Sequence, residues 1–182
     1  MSETSAVGLD TAAPGTAADS AGRRTRRAVV IVASTRAAAG IYADETGPVI
    51  VEWARARGFE VDAASVVADG PDVAAALERA LAVDPDLIVT TGGTGIAPTD
   101  TTPEATAPVL QQLLPGFQEE LRRRGSAVTP FALMSRGLAG VAGNAFVVNL
   151  PGSTGGVRDG LALLDEVVDH VIDQLAGGRH DE

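Results

Sequence analysis

The stretch from Asp86 to Glu104 constrains this chain more than any other. Asp86-Leu87-Ile88-Val89-Thr90 is a short apolar run of the kind that forms a buried parallel strand. It leads straight into Thr91-Gly92-Gly93-Thr94-Gly95, passes Pro98 and Asp100, and reaches a helix start at Thr102-Pro103-Glu104. Thr102 is expected as the N-cap, with Pro103 at the first helical position and Glu104 at the positive end of the dipole. A strand, a glycine-rich loop and a helix in that order make a phosphate cradle, because glycines let backbone N–H groups approach an anion without Cβ interference. Threonine hydroxyls add donors, and Asp100 adds a carboxylate suited to a divalent metal. The loop lacks Gly-Lys-Ser/Thr and G-x-G-x-x-G, so it is neither a P-loop nor the dinucleotide fingerprint; spacing alone leaves a plain βα turn as the alternative.

The rest of the chain alternates in the same manner. Ala28–Ala33 reads as a buried strand ending at Ser34-Thr35-Arg36, followed by a loop of small residues from Ala37 to Gly40. A helix opens near Pro48, with Val49, Ile50 and Trp53 on its core face. Phe59–Val67 reads as the second strand, and the turn Ala68–Asp72, with Asp69 or Asp72 as a cap, starts a helix to about Ala82. After Pro103 the pattern predicts a helix to about Leu114 and another from Pro115 to Arg124, then an irregular segment to Leu133. A short strand within Gly137–Gly143, a strand from Asn144 to Leu150, a second glycine loop from Pro151 to Gly156 and an amphipathic helix over Val157–Leu175 complete the pattern. Residues 1–26 read as a disordered tail ending in the basic run Arg23–Arg27, residues 27–176 as one domain, and residues 177–182 as a frayed end. The expected fold is a three-layer α/β/α sandwich with a mostly parallel sheet. Ligands of such sheets lie beyond the carboxyl ends of the strands, where Ser34, Asp69, the 92–100 loop and the 151–156 loop would converge.

Composition narrows the chemistry. A net charge of −10 argues against non-specific binding to nucleic acid or an anionic membrane. No apolar run approaches the ~20 residues of a membrane span, and a cytoplasmic location is expected. With no cysteine there is no disulfide, thiolate metal site or cysteine nucleophile. His170 reads as a surface or structural residue and His180 falls in the tail, so nothing suggests a Ser-His-Asp triad. A metal would therefore take oxygen ligands, and Asp69 and Asp100 with nucleotide phosphates suit Mg²⁺.

The string TTGGTGIAPTDTTPEAT, together with Leu133-Met134-Ser135-Arg136-Gly137 and Asn149-Leu150-Pro151-Gly152-Ser153, resembles the signature of the molybdopterin-binding Mog/MoaB family. The resemblance covers about residues 27–175. It implies Mg-ATP-dependent adenylylation of molybdopterin with release of pyrophosphate, in molybdenum cofactor biosynthesis. It also implies a homo-oligomer (a trimer, in some branches a hexamer) and a partner protein that inserts molybdate. Asp69 and Asp100 match the family's catalytic, metal-holding aspartates. The binding positions carried over are Ser34, Thr91, Gly92, Gly93, Thr94, Gly95, Pro98, Ser135, Asn149, Pro151, Gly152 and Ser153. Two positions depart from the family pattern. Thr35 stands where an aspartate is common, and Glu45 where a lysine is common. These departures keep open a second expectation, a non-catalytic molybdopterin-binding or scaffold protein.

Overall fold

The computed structural model describes residues 24–177. Residues 1–23 of the expected tail lie outside the described residues, as does most of the expected frayed end; its last residues, 24–26, are held in place, Arg24 by Asp86 and Arg26 by Asp169 and Asp173. The strands are β1 (Ala28–Ala33), β2 (Ser65–Val67), β3 (Leu87–Thr91), β4 (Gln112–Leu113), β5 (Ala139–Ala142) and β6 (Ala145–Leu150). The helices are α1 (Thr35–Ala38), α2 (Thr46–Ala56), α3 (Pro71–Leu81), α4 (Thr102–Thr106), α5 (Pro115–Ser126) and α6 (Thr154–Leu175). The strands form one sheet in the order β2-β1-β3-β6-β5-β4. The β2, β1, β3 and β6 pairings are parallel, while β5 runs antiparallel to both β6 and β4.

Strand periodicity distributes the core over two faces. Val30, Val89, Phe146 and Val148 join residues of α2, α5 and α6 on one face. Ile31, Ile88 and Val147 meet Val73, Ala76, Leu77 and Ala80 of α3 on the other. The sheet is thus covered on both sides, and the three-layer, mostly parallel expectation holds.

Several boundaries differ from the sequence reading, each for a local reason. The second strand is confined to Ser65–Val67, with one isolated bridge between Arg27 and Glu60. Four positions separate Arg27 from Ile31, but five separate Glu60 from their register partner Ser65, so the edge strand carries one extra residue and leaves the ladder there. The helix expected to reach Leu114 stops at Thr106, and a 3₁₀ turn over Ala107–Val109 follows. Pro108 has no N–H to continue the ladder, and its ring conflicts with an α-helical turn. The freed chain pairs Gln112 with Val141 and Leu113 with Gly140. Thr101, not Thr102, is the N-cap of α4; Thr102 is already helical and fully buried, and its N–H donates to Gly93 O at 3.0 Å. Ala37–Gly40, expected as a loop, begins inside the short helix α1. The segment expected to be irregular after Ser126 contains a 3₁₀ turn over Pro130–Met134. On α2, Ile50 is buried but Val49 is exposed. Trp53 packs against the core, stacks on Phe59 with centroids 6.4 Å apart, and donates its indole N–H to Asp165 of α6 at 2.9 Å. His170 lies on the exposed side of α6, as expected.

The basic run fastens the first strand to its neighbours. Arg24 forks onto buried Asp86 at 2.7 and 3.1 Å, and Asp86 also accepts the Arg27 N–H at 2.7 Å. Arg26 pairs with Asp169 and Asp173 of α6. On the same face of the sheet, Arg124 of α5 bridges Glu120 and Glu166 of α6. Hydrogen bonds from Arg123 and Arg124 hold the Glu120 carboxyl down to about 2, and Arg124 lowers Glu166. Carboxyls lowered in the fold contribute stability above their unfolded value, and that contribution is lost as pH falls through the folded one. Arg124→Ala is therefore expected to lower the melting temperature by a few degrees at pH 7, because the network is exposed and screened. The gap to wild type should close between pH 4.5 and about 2 in a melting series.

Candidate functional site

Parallel pairing brings the carboxyl ends of β1, β2, β3 and β6 to one edge. They open on a cleft of about 720 Å³ whose lining includes Ser34, Thr35, Asp69, Gly92, Gly93 and Asp100. A second chamber of about 620 Å³ lies across the glycine loop, lined by Thr94, Gly95, Arg122, Ser135, Pro151 and Ser153 among others. The two share Gly92, Gly93, Asp100 and Gly152. At Gly92, Gly93 and Gly152 their common ridge is bare backbone with no side chain to block it. Gly92 has φ +89°, and a Cβ there would stand 2.2 Å from Ala33 O. A Cβ on Gly152 would meet Gly92 Cα at 3.1 Å, so the two glycine loops pack back to back.

The two predicted carboxylates flank this ridge. Asp69 Oδ2 accepts hydrogen bonds from Thr35 N–H and Thr35 Oγ1, both at 2.9 Å. Its Oδ1 faces Gly93, 3.1 Å from where a Cβ would stand. Asp100 Oδ2 accepts the Ala97 N–H at 3.1 Å and lies 2.7 Å from the corresponding Cβ position of Gly95. Among the described residues neither Oδ1 accepts a hydrogen bond, so each carboxylate keeps an oxygen available. Buried Thr102 Oγ1 also has no partner and lies 2.4 Å from the Cβ position of Gly93. No group of three or more His, Cys, Asp or Glu among the described residues could hold a metal unaided. Two carboxylates with the rest of the shell left to phosphate and water is the donor set that suits Mg²⁺. Both departures from the family pattern face this cleft: Thr35 as the partner of Asp69, and Glu45 as an exposed anion on the lining.

Other expected residues divide into cleft groups and supports. Ser34 caps α1 through Ala37 N–H and contacts Tyr42 OH at 3.0 Å, with Arg36 over the Tyr42 ring. Ser135 donates to Thr94 Oγ1 at 3.4 Å, and Ser153 caps α6 through Gly156 N–H. Thr91 is fully buried and its hydroxyl donates to Pro151 O at 2.8 Å, tying one glycine loop to the other. Pro98 is exposed at the loop tip and lines neither chamber. Asn149 also lies beneath the site rather than in it. Its Nδ2 donates to Thr90 Oγ1 and Thr106 Oγ1, and its Oδ1 accepts the Leu138 N–H.

Arg136 is the residue that sequence reasoning passed over. Its Nε donates to Gly95 O at 2.8 Å, its Nη2 to Asp100 O at 2.5 Å, and its Nη1 pairs with Glu104. Its backbone N–H donates to Thr94 O at 2.8 Å. One side chain therefore holds both ends of the loop tip and the start of α4. The hydrogen bond from Arg136 lowers the Glu104 carboxyl from its usual range. The only signal available was its place between Ser135 and Gly137 in the quoted Ser-Arg-Gly segment.

Fold and cleft together define a doubly wound α/β domain with paired glycine loops and two carboxylates at its strand ends. Residues 29–170 match the family described as a probable molybdopterin binding domain. The chain is 37% identical over 179 residues to a molybdenum cofactor biosynthesis bifunctional protein of Chlorobaculum tepidum, covering 98% of this chain and 57% of that protein. It thus spans about half the length of the bifunctional relatives it matches. It is 35% identical over 158 residues to the molybdopterin adenylyltransferase of Helicobacter pylori, covering 81% of this chain and 86% of the relative. The solved molybdopterin biosynthesis Mog protein from Mycobacterium ulcerans superposes with a TM-score of 0.79 at 53% identity, over 82% of this chain and 99% of that one. The chain belongs to the molybdopterin-binding Mog/MoaB family of molybdenum cofactor biosynthesis.

Asn149 gives a direct test of the supports. Removing its amide orphans the half-buried Leu138 N–H, takes the donor from the buried Thr90 and Thr106 hydroxyls, and leaves a void. Asn149→Ala is expected to destabilise the fold by about 2–4 kcal/mol, measured by urea unfolding.

Proposed function

We propose that this chain is a Mg-ATP-dependent molybdopterin adenylyltransferase. The observation that carries the reading is the pair Asp69 and Asp100, each with an uncommitted Oδ1, on either side of a glycine ridge in one cleft. An oxygen of the molybdopterin phosphate bonds to the α-phosphorus of ATP, and the bond from that phosphorus to the α,β-bridging oxygen breaks. Adenylyl-molybdopterin forms and pyrophosphate leaves. The attacking phosphate is already ionised, so the protein has no proton to remove, and its work is alignment and charge compensation. Backbone N–H groups of Gly93, Thr94 and Gly95 bind phosphate oxygens without side-chain interference. Asp69 and Asp100 would hold Mg²⁺ against the phosphates, where the ion offsets their charge. Arg136 keeps Asp100 in place through its carbonyl. The shared ridge supports one chamber for the nucleotide and the other for the pterin.

The same reading includes a homo-oligomer, a trimer or hexamer, and a partner that inserts molybdate. Exposed Val128, Phe131 and Met134 around the second chamber support an assembled state, since such apolar groups are usually covered by a partner. A cytoplasmic location belongs to it too; no helix among the described residues is long and apolar enough to cross a membrane. One observation favours a non-catalytic molybdopterin binder instead: Glu45 places an anion on the lining of a cleft that would receive polyanions.

An adenylylation assay with mass-spectrometric detection separates the two. Asp100→Asn is expected to cut turnover by about a hundredfold or more, with a melting temperature near wild type. Wild-type turnover in that variant sinks the mechanism. Wild-type protein that binds molybdopterin yet forms no adenylyl product is the binder.

A further inference from the structure

We propose that Thr35 is a positioning residue that aims the Asp69 carboxylate at the glycine loop. The inference rests on the reading of Asp69 as a group that holds the cation accompanying the nucleotide. Thr35 opens α1 just after β1, Asp69 lies in the loop after β2, and the two are far apart in sequence. Three hydrogen bonds close a ring between them. Thr35 N–H and Thr35 Oγ1 both donate to Asp69 Oδ2 at 2.9 Å, and Asp69 N–H donates back to Thr35 Oγ1 at 3.2 Å. Two donors on Oδ2 set the rotation of the carboxylate, and Oδ1 is left facing Gly93.

The threonine hydroxyl takes part in two of the three bonds, as donor and as acceptor. Its β-branch restricts χ1, so the hydroxyl is already oriented before a ligand arrives. Asp69 is only partly buried, and packing alone does not fix its side chain. Asp100 is anchored differently, by the single Ala97 N–H of its own loop with Arg136 on its carbonyl. Asp69 depends on a neighbouring strand end for its aim, and Thr35 is the residue that supplies it.

Thr35→Val keeps shape and branching and removes only the hydroxyl, while Thr35→Ser keeps the hydroxyl. In a crystal structure of Thr35→Val the Asp69 carboxylate is expected to rotate, with Oδ1 leaving Gly93. Mn²⁺ affinity, read by electron paramagnetic resonance with α,β-methylene-ATP, should fall about tenfold in Thr35→Val and recover in Thr35→Ser. In turnover, kcat should fall about tenfold while KM for molybdopterin changes less than about twofold. In an Asp69→Asn background, adding Thr35→Val should cost nothing further. An unmoved Asp69 in the valine variant, or an equal loss of affinity on top of Asp69→Asn, overturns the inference. Wild-type protein that binds Mn²⁺ and the nucleotide analogue but makes no adenylyl product sinks the enzyme reading alone, since the rotation of Asp69 and the Mn²⁺ effect are read without turnover.

Discussion

The site depends on one close backbone contact, the approach of Gly92 to the end of β1. Gly92 continues the ladder beyond β3 by donating to Leu150 O at 3.2 Å, while its Cα side faces Ala33 O. A side chain there has nowhere to go, because the nearest obstacle is backbone. The contact lets the ends of β1, β3 and β6 close on one another at the point where strand order reverses. Everything chemical follows from that closure. Thr35, at the start of α1 after β1, holds Asp69, the loop after β3 carries Asp100, and the loop after β6 backs the ridge with Gly152.

Beneath the ridge the protein keeps a buried polar network where an apolar core would be simpler. Thr90, Asn149 and Thr106 exchange hydrogen bonds between β3, β6 and α4, and Thr106 also donates to Thr102 O at 2.8 Å. Gln118 of α5 reaches the carbonyls of Leu138 and Asn149 from the opposite layer. Polar groups buried this way cost free energy unless each finds a partner, and in return they admit few alternative arrangements. Here they register α4, and with it Asp100, against the strand ends. Among the described residues the hydroxyls of Thr101 and Thr102 and Oε1 of Gln118 are the exceptions, all buried without partners. Thr102 lies next to the glycine loop, where a polar vacancy has a chemical use.

Much of this was readable in the residues. Apolar runs such as Val29–Ala33 and Leu87–Thr90 announce parallel strands buried on both faces, and the glycines with Asp100 announce the cradle. The two aspartates and both glycine loops were placed correctly at one edge. Asn149, expected among the binding residues, lies beneath them, and sequence could not say so because its role depends on hydroxyls from β3 and α4. Arg136 was missed for a related reason. It binds carbonyls, which carry no residue-specific signature. The Pro108 break was written in the chain, but the apolar spacing around it imitated a longer helix. The shortened β2 follows from a one-residue mismatch with β1, visible only once the register is known.

The way Arg136 holds its loop bears on how this region can change. The guanidinium grips the carbonyls of Gly95 and Asp100, which every amino acid provides, and the tip between them is exposed over Ile96–Thr99. The anchorage is therefore blind to the letters of the tip. Ile96, Pro98 and Thr99 can drift without loosening the loop, whereas Ala97 is restrained only through its N–H to Asp100. A permissive segment set between two backbone grips lets the rim of the cleft be re-tailored to a new neighbour while the carboxylate behind it keeps its station.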